Sequence, residues 1–275
     1  MPLVARLQRM NIGPHFRAYT LRGAGFAAPF DPFLGVDHAW DSAATFPPHP
    51  HAGFSAVSYV FLDSETGIDN RDSLGKRSLI QPGGLHWTAA GRGVVHEEVP
   101  AETGKTVHML QIFVNLPLAR QGDAPFALSL AAHDVPVAHR PGVKIRVPLG
   151  GFGDTRSPLT PPTDVTLLEI CLDDGAGLTV PLEAGRVAFF MPIHGVVTLD
   201  GERLDSSELD VPVFAAQDAE RVIRVEARQG PAKLVLFGGT PLYQPVFWNG
   251  PMALASAEAL EAATQAFQRG EFGRV

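Results

Sequence analysis

Two histidines separated by a single residue, His49 and His51, stand in the stretch PPHPHAGF, among prolines at positions 47, 48 and 50. Proline turns the residue before it away from the helical region, so this segment is biased toward an extended backbone. In an extended strand, residues i and i+2 project to the same face, and both imidazoles then point one way. Forty-five residues after His51 the spacing recurs: His96 and Glu98 in GRGVVHEEVP share a face, while Glu97 is turned to the other, toward solvent. Two such strands facing each other inside a small barrel offer three imidazole nitrogens and one carboxylate. Neutral imidazole donates a lone pair without adding charge, and one carboxylate offsets part of a divalent charge. The set His49, His51, His96 and Glu98 therefore suits one divalent transition metal: Fe(II), Mn(II), Co(II), Ni(II), Cu(II) or Zn(II). Four ligands leave up to two positions open on an octahedral ion, room for a substrate oxygen and dioxygen together. The plainer alternative is an exposed proline loop carrying His49 and His51, with His96 a satisfied core residue.

Elements that hold such a site must be short strands, and the composition favours them. Of 275 residues, 28 are Gly and 24 are Pro, and Phe (17) far outnumbers Trp (3) and Tyr (3). A 45% hydrophobic content is enough for sizeable cores in one large domain or two ordinary ones. Runs read as strands over 54–62, 78–81, 84–90, 93–99 and 107–116, each closed by Gly or Pro turns. Residues 134–163, dense in Pro and Gly, read as a linker mixed with short edge strands. The rhythm then restarts at VTLLEICL (165–172) and continues through seven strand-like runs to AKLVLFGG, predicting two similar β-barrels or sandwiches. A division at 137/138 gives segments 1–137 and 138–275. Only AEALEAATQAFQRG reads as a helix, capped by Ser256, with Leu260, Ala263 and Phe267 on one packing face and Gly270 as its stop.

Charge and composition narrow the function. The net charge of −7 and the absence of any Lys/Arg run disfavour direct nucleic-acid binding. There is no apolar run long enough for a membrane span and no leader-like start. The single cysteine, Cys171, cannot form an internal disulfide and reads as a buried small hydrophobe. A cytoplasmic monomer is expected.

Other histidines compete for roles. His86 lies on the strand before His96 and can point into the barrel, as a rival ligand or as part of the pocket lining. His108 and Gln111 on the 107–116 strand are also candidates for the lining, on opposite faces. His194, in the second half, lacks a partner at i+2. His15, His38, His133 and His139 are assigned surface or local roles. AAGRGVV does not join a strand to a helix, so its glycines read as a tight turn that aims His96 rather than a phosphate cradle. Arg92 in that turn is a candidate for orienting a neighbouring carboxylate.

DPFLGVDHAW, PHPHAGF, RDSLG, PGGLHWTAAGRGVVHEEVP, HMLQIFVNLP, GGTPLYQPVFWNGP and FQRGEFG occur in the order in which they occur in the pirin family, and from about residue 16 onward the chain resembles it. The resemblance implies an all-β bicupin: two cupin-type antiparallel β-barrels with a short C-terminal helix. It implies His49, His51, His96 and Glu98 as the metal ligands, iron as the usual metal, and a second barrel without ligands. Some members resemble quercetin 2,3-dioxygenases, which implies a small aromatic substrate and O₂, with Glu98 as the catalytic proton acceptor and carbon monoxide released. Others act as non-catalytic regulators through protein partners. The chain departs from the family pattern at Ala52, where Arg is common, and at Ser55, where Glu is common. It also departs at Asn70 and His86, where His and Gln are usual. These changes bear on the lining and the mouth of the site rather than on the metal.

Overall fold

The alternation along Val107–Asn115 shows how the sequence builds the fold. Leu110, Ile112 and Val114 enter a large apolar core between two sheets, whereas Met109, Gln111 and Phe113 line a cleft on the opposite face. The computed structural model describes residues 2–22 and 27–275. Val107–Asn115 is central in a seven-stranded antiparallel sheet, between Phe54–Val60 and Phe33–Asp41. A four-stranded sheet, His49–His51, Val94–Pro100, Ile68–Asp72 and Arg77–Ile80, closes the first barrel.

The second half repeats this plan. Its seven-stranded sheet runs from Leu3–Arg6 through Asp210–Phe214, Val187–His194, Ala232–Gly239, Val165–Leu172 and Val143–Leu149 to Val137–Arg140, and a second four-stranded sheet faces it. The two large sheets pack against each other through Val57, Tyr59, Trp87 and Ile112 on one side and Leu167, Phe189, Val235 and Phe237 on the other. The molecule is thus an all-β bicupin with a C-terminal helix. The interior of the second barrel is filled by Ile145, Ile170, Val180, Phe190, Val225 and Leu234 among others. The interior of the first barrel is partly polar, and the candidate site lies there.

Three features depart from the sequence reading. The Pro/Gly-dense stretch contains a seven-residue strand, Val143–Leu149, inside the sheet rather than at its edge. A register shift between Arg146 and Leu149 accommodates Pro148, which cannot donate to a ladder. Cys171 is half-buried, not buried, because it lies on the strand face that carries Lys144 and Lys233 as neighbours. Two segments also lie across the 137/138 division. Leu3–Arg6 pairs with Asp210–Phe214 in the second sheet. Phe247–Asn249 and Met252–Leu254 form a hairpin that, with the helix Ala257–Gln268, packs on the first barrel through Ala52, Val95, Met252, Ala263 and Phe272. Ser256 caps that helix by accepting from the Ala259 N–H. Among the described residues no helix is long and apolar enough to cross a membrane.

Candidate metal centre

Antiparallel pairing places His96 opposite His49 and Val94 opposite His51. Strand parity then turns all three imidazoles into the barrel, and their ligand atoms lie within 4.8 Å of one another. Nε2 of His51 and Nε2 of His96 are 3.0 Å apart. Main-chain carbonyls fix two of the rings. His49 Nδ1 donates to the Pro47 carbonyl at 2.9 Å, and His51 Nδ1 donates to the Pro251 carbonyl at 3.0 Å. With Nδ1 carrying the proton, each ring presents the Nε2 lone pair.

Charge states agree with this role. Burial pulls His51 down to about 3, reinforced by neighbouring His49. Burial and the adjacent His51 and His49 hold His96 well below the usual imidazole range. Burial lowers His49 too, against opposing effects of the Pro47 carbonyl and Glu97. Three neutral imidazoles whose ring nitrogens converge are a donor set that suits a divalent transition metal. His96 Nδ1 is buried and without a hydrogen-bond partner among the described residues.

Glu98 lines the same cleft but is not gathered into the histidine cluster. Ser58 Oγ lies 2.8 Å from each of its carboxylate oxygens and 3.1 Å from Gln111 Oε1. Burial raises the Glu98 carboxyl to about 7, with the Ser58 hydrogen bond opposing.

The cleft holds about 330 Å³, and Phe16, Phe46, Phe54, Phe113 and Trp248 give it aromatic walls. On one wall Arg22 forms a two-pronged ion pair with buried Asp37, and its guanidinium lies 4.6 Å over the Phe113 ring. The hairpin supplies Trp248, Gly250 and Pro251.

Of the expected lining residues, only Gln111 lies in this cleft. His86 enters the barrel interior, but Asn70 (3.3 Å) and Ser129 (2.8 Å) engage its ring nitrogens, and it does not reach the cleft. Asn70 is opposite Glu98 on the neighbouring strand and is turned to His86. His108 is on the far face of its strand, at the seam between the barrels. There its Nε2 is 2.7 Å from that of His38 and its Nδ1 donates to Asp63 at 2.8 Å. His38, expected in a surface or local role, is buried there. Ser55 has the parity of Val57 and Tyr59, faces the inter-barrel core and does not line the cleft. Ala52 likewise turns away, buried under Met252. The departures at 52 and 55 therefore change packing beneath the hairpin and at the seam, not the mouth of the site. Glu97 is half-buried and lies 3.9 Å from Arg71. Arg92 is exposed beside the C-terminal helix. His194 is exposed, on a groove between the barrels.

Sequence reasoning passed over Ser58, Arg22, Asp37, Trp248 and Pro251. Ser58 was reachable by parity, since 54, 56 and 58 share a face. The Pro251 carbonyl is 200 residues from His51 and carries no local signal.

Residues 22–114 match the family model described as Pirin, and residues 167–273 match the Pirin C-terminal cupin domain. A pirin-like protein of Caulobacter vibrioides is 31% identical over 277 residues, covering 98% of this chain and 97% of its own length. A Pseudomonas aeruginosa protein provisionally named a quercetin 2,3-dioxygenase is 30% identical over 253 residues, covering 88% of this chain and 86% of its own. The crystal structure of a quercetin 2,3-dioxygenase from Acinetobacter baumannii superposes with a TM-score of 0.87 at 24% identity, over 98% of this chain and 96% of that one. A bacterial pirin from Escherichia coli in complex with nickel(II) gives 0.68 at 19% identity, over 88% of this chain and all (100%) of that one. At these identities the two structures show the fold.

Proposed function

This chain belongs to the pirin family, and from that premise we propose that it is a metal-dependent dioxygenase of the quercetin 2,3-dioxygenase type, with iron as its metal. The observation that carries this reading is the convergence of three imidazoles in an aromatic-walled cleft that the Glu98 carboxyl also lines. A divalent metal bound there supplies Lewis acidity toward an enolisable hydroxyl and a route for electrons to dioxygen.

The chain's own residues do the rest. His49, His51 and His96 would hold the ion, and Glu98, on the wall of the same cleft, is the proposed fourth donor. Glu98, a carboxylate on the cleft wall, is the proposed acceptor of the substrate's hydroxyl proton. Ser58 donates to that carboxylate and keeps it aimed into the cleft. The aromatic walls exclude water from the enolate, and Arg22 places a cation on the same wall. The name of the Pseudomonas relative supports a flavonol-like substrate.

The test is O₂ uptake and carbon monoxide release on mixing Fe(II)-loaded protein with quercetin. One O₂ consumed and one CO released per quercetin is the expected result. No uptake by protein carrying about one metal per chain overturns the dioxygenase reading and leaves a metal-binding protein that regulates partners.

A further inference from the structure

Resting on that reading of the cleft, we propose that Trp248 is a specificity-determining residue. Its indole is a fixed platform on which the ring of a planar aromatic substrate stacks while the substrate's hydroxy-ketone end faces the histidines. Trp248 lines the cleft that holds His49, His51 and His96, yet 48% of its surface is exposed. Of the three tryptophans, Trp87 is fully buried in the inter-barrel core and Trp40 is sandwiched between Arg17 and His108. Trp248 alone of the three combines exposure with a place on the cleft lining. Among the described residues its one ring neighbour is Phe54, at 6.0 Å and tilted by 49°. A large aromatic held half out of its own core has apolar area left for a ligand.

The platform is rigid before any ligand arrives. Its hairpin is pinned to the first barrel by the Ala253 N–H on the Ala52 carbonyl at 3.1 Å. The Ala255 N–H donates to Gln121 Oε1 at 3.0 Å, and Asn249 donates to Thr264 of the helix at 3.2 Å. Gly53 lets the hairpin approach so closely that a Cβ there would stand 2.0 Å from the Ala253 oxygen. A preorganised ring loses little freedom on stacking, which lowers the ordering cost of binding. Pro251 of the same hairpin accepts from His51, so the platform and the metal-binding face share one support.

Two probes separate stacking from chelation. 3-Hydroxyflavone and maltol carry the same hydroxy-ketone, and maltol lacks the fused and pendant aromatic rings. Their binding to metal-loaded protein, followed without oxygen by the shift in ligand absorbance, is compared for wild type, Trp248→Ala and Trp248→Phe. The alanine variant is expected to weaken 3-hydroxyflavone about tenfold and the phenylalanine variant to recover most of it, with maltol within about twofold throughout. Metal content stays at the wild-type level in both variants. Equal losses for the two probes, an unchanged 3-hydroxyflavone affinity, or no 3-hydroxyflavone binding by wild type each overturn the proposal. Wild-type protein that binds 3-hydroxyflavone through Trp248 and consumes no O₂ with quercetin removes the dioxygenase reading and leaves the platform standing.

Discussion

Two carbonyls, those of Pro47 and Pro251, settle which nitrogen of His49 and His51 carries its proton. The choice of tautomer is as important as the choice of residue, since a ring with Nε2 protonated has no lone pair to offer in the cleft. Replacing His49 or His96 by Ala is expected to reduce metal content at least tenfold, read by elemental analysis after dialysis. Glu98→Gln is expected to keep more metal than either histidine variant and to lose turnover by about 100-fold, because the amide cannot accept the substrate's proton. Metal loss in Glu98→Gln as complete as in His49→Ala would mean that the carboxylate is needed mainly as a ligand.

Elements decide how tightly these residues are held. Gly53 has φ +82 and sits under the hairpin. Gly53→Ala is expected to cost at least about 2 kcal/mol, from the left-handed backbone and the clash with the Ala253 oxygen. A lower melting temperature together with faster proteolysis after residue 244 would report the loosened hairpin. The seam between the large sheets carries its own pH dependence. Burial holds His38 down at about 3, with His108 beside it acting in the same direction and Asp63 opposing; Lys233 and Arg17 are its other charged neighbours. The unfolded chain protonates this imidazole near 6.5 and the folded chain refuses the proton. Its contribution is therefore intact above about pH 6.5 and falls as the pH drops toward 3, by about 2 kcal/mol at pH 5. His38→Gln keeps a hydrogen-bonding group at the seam, and denaturant melts should show its stability difference between pH 7.5 and pH 5 shrinking by about that amount. Parity made the three histidines legible in the sequence, because i and i+2 on a strand need no tertiary information. Parity also placed His108 and Gln111 on opposite faces but could not say which face was the cleft. Ser55, Ala52 and His86 were misjudged because what lies beyond each face depends on a distant partner: the second barrel, the hairpin, and the Asn70 and Ser129 pair.

The whole molecule is one plan used twice, a seven-stranded sheet closed by a four-stranded one, with opposite interiors. Ile170, Phe190 and Val225 fill in the second barrel the kind of space that histidines and a cleft occupy in the first. About one metal per chain is therefore expected, and His194→Ala should leave the metal content unchanged, since that side chain is exposed between the barrels rather than inside one. Two equivalents bound by wild type and one by His194→Ala would contradict the apolar interior.

The partnership of His51 with Pro251 also sets an order of events during synthesis. Pro251 follows His96, the last of the three histidines to be made, by 155 positions. At about 5–20 residues per second, translation takes roughly 10–30 s to cross that interval. For that time a nascent first barrel has all three imidazoles but lacks the carbonyl that selects the His51 tautomer. A fragment that ends before the hairpin is therefore expected to bind a divalent metal more weakly than the full chain.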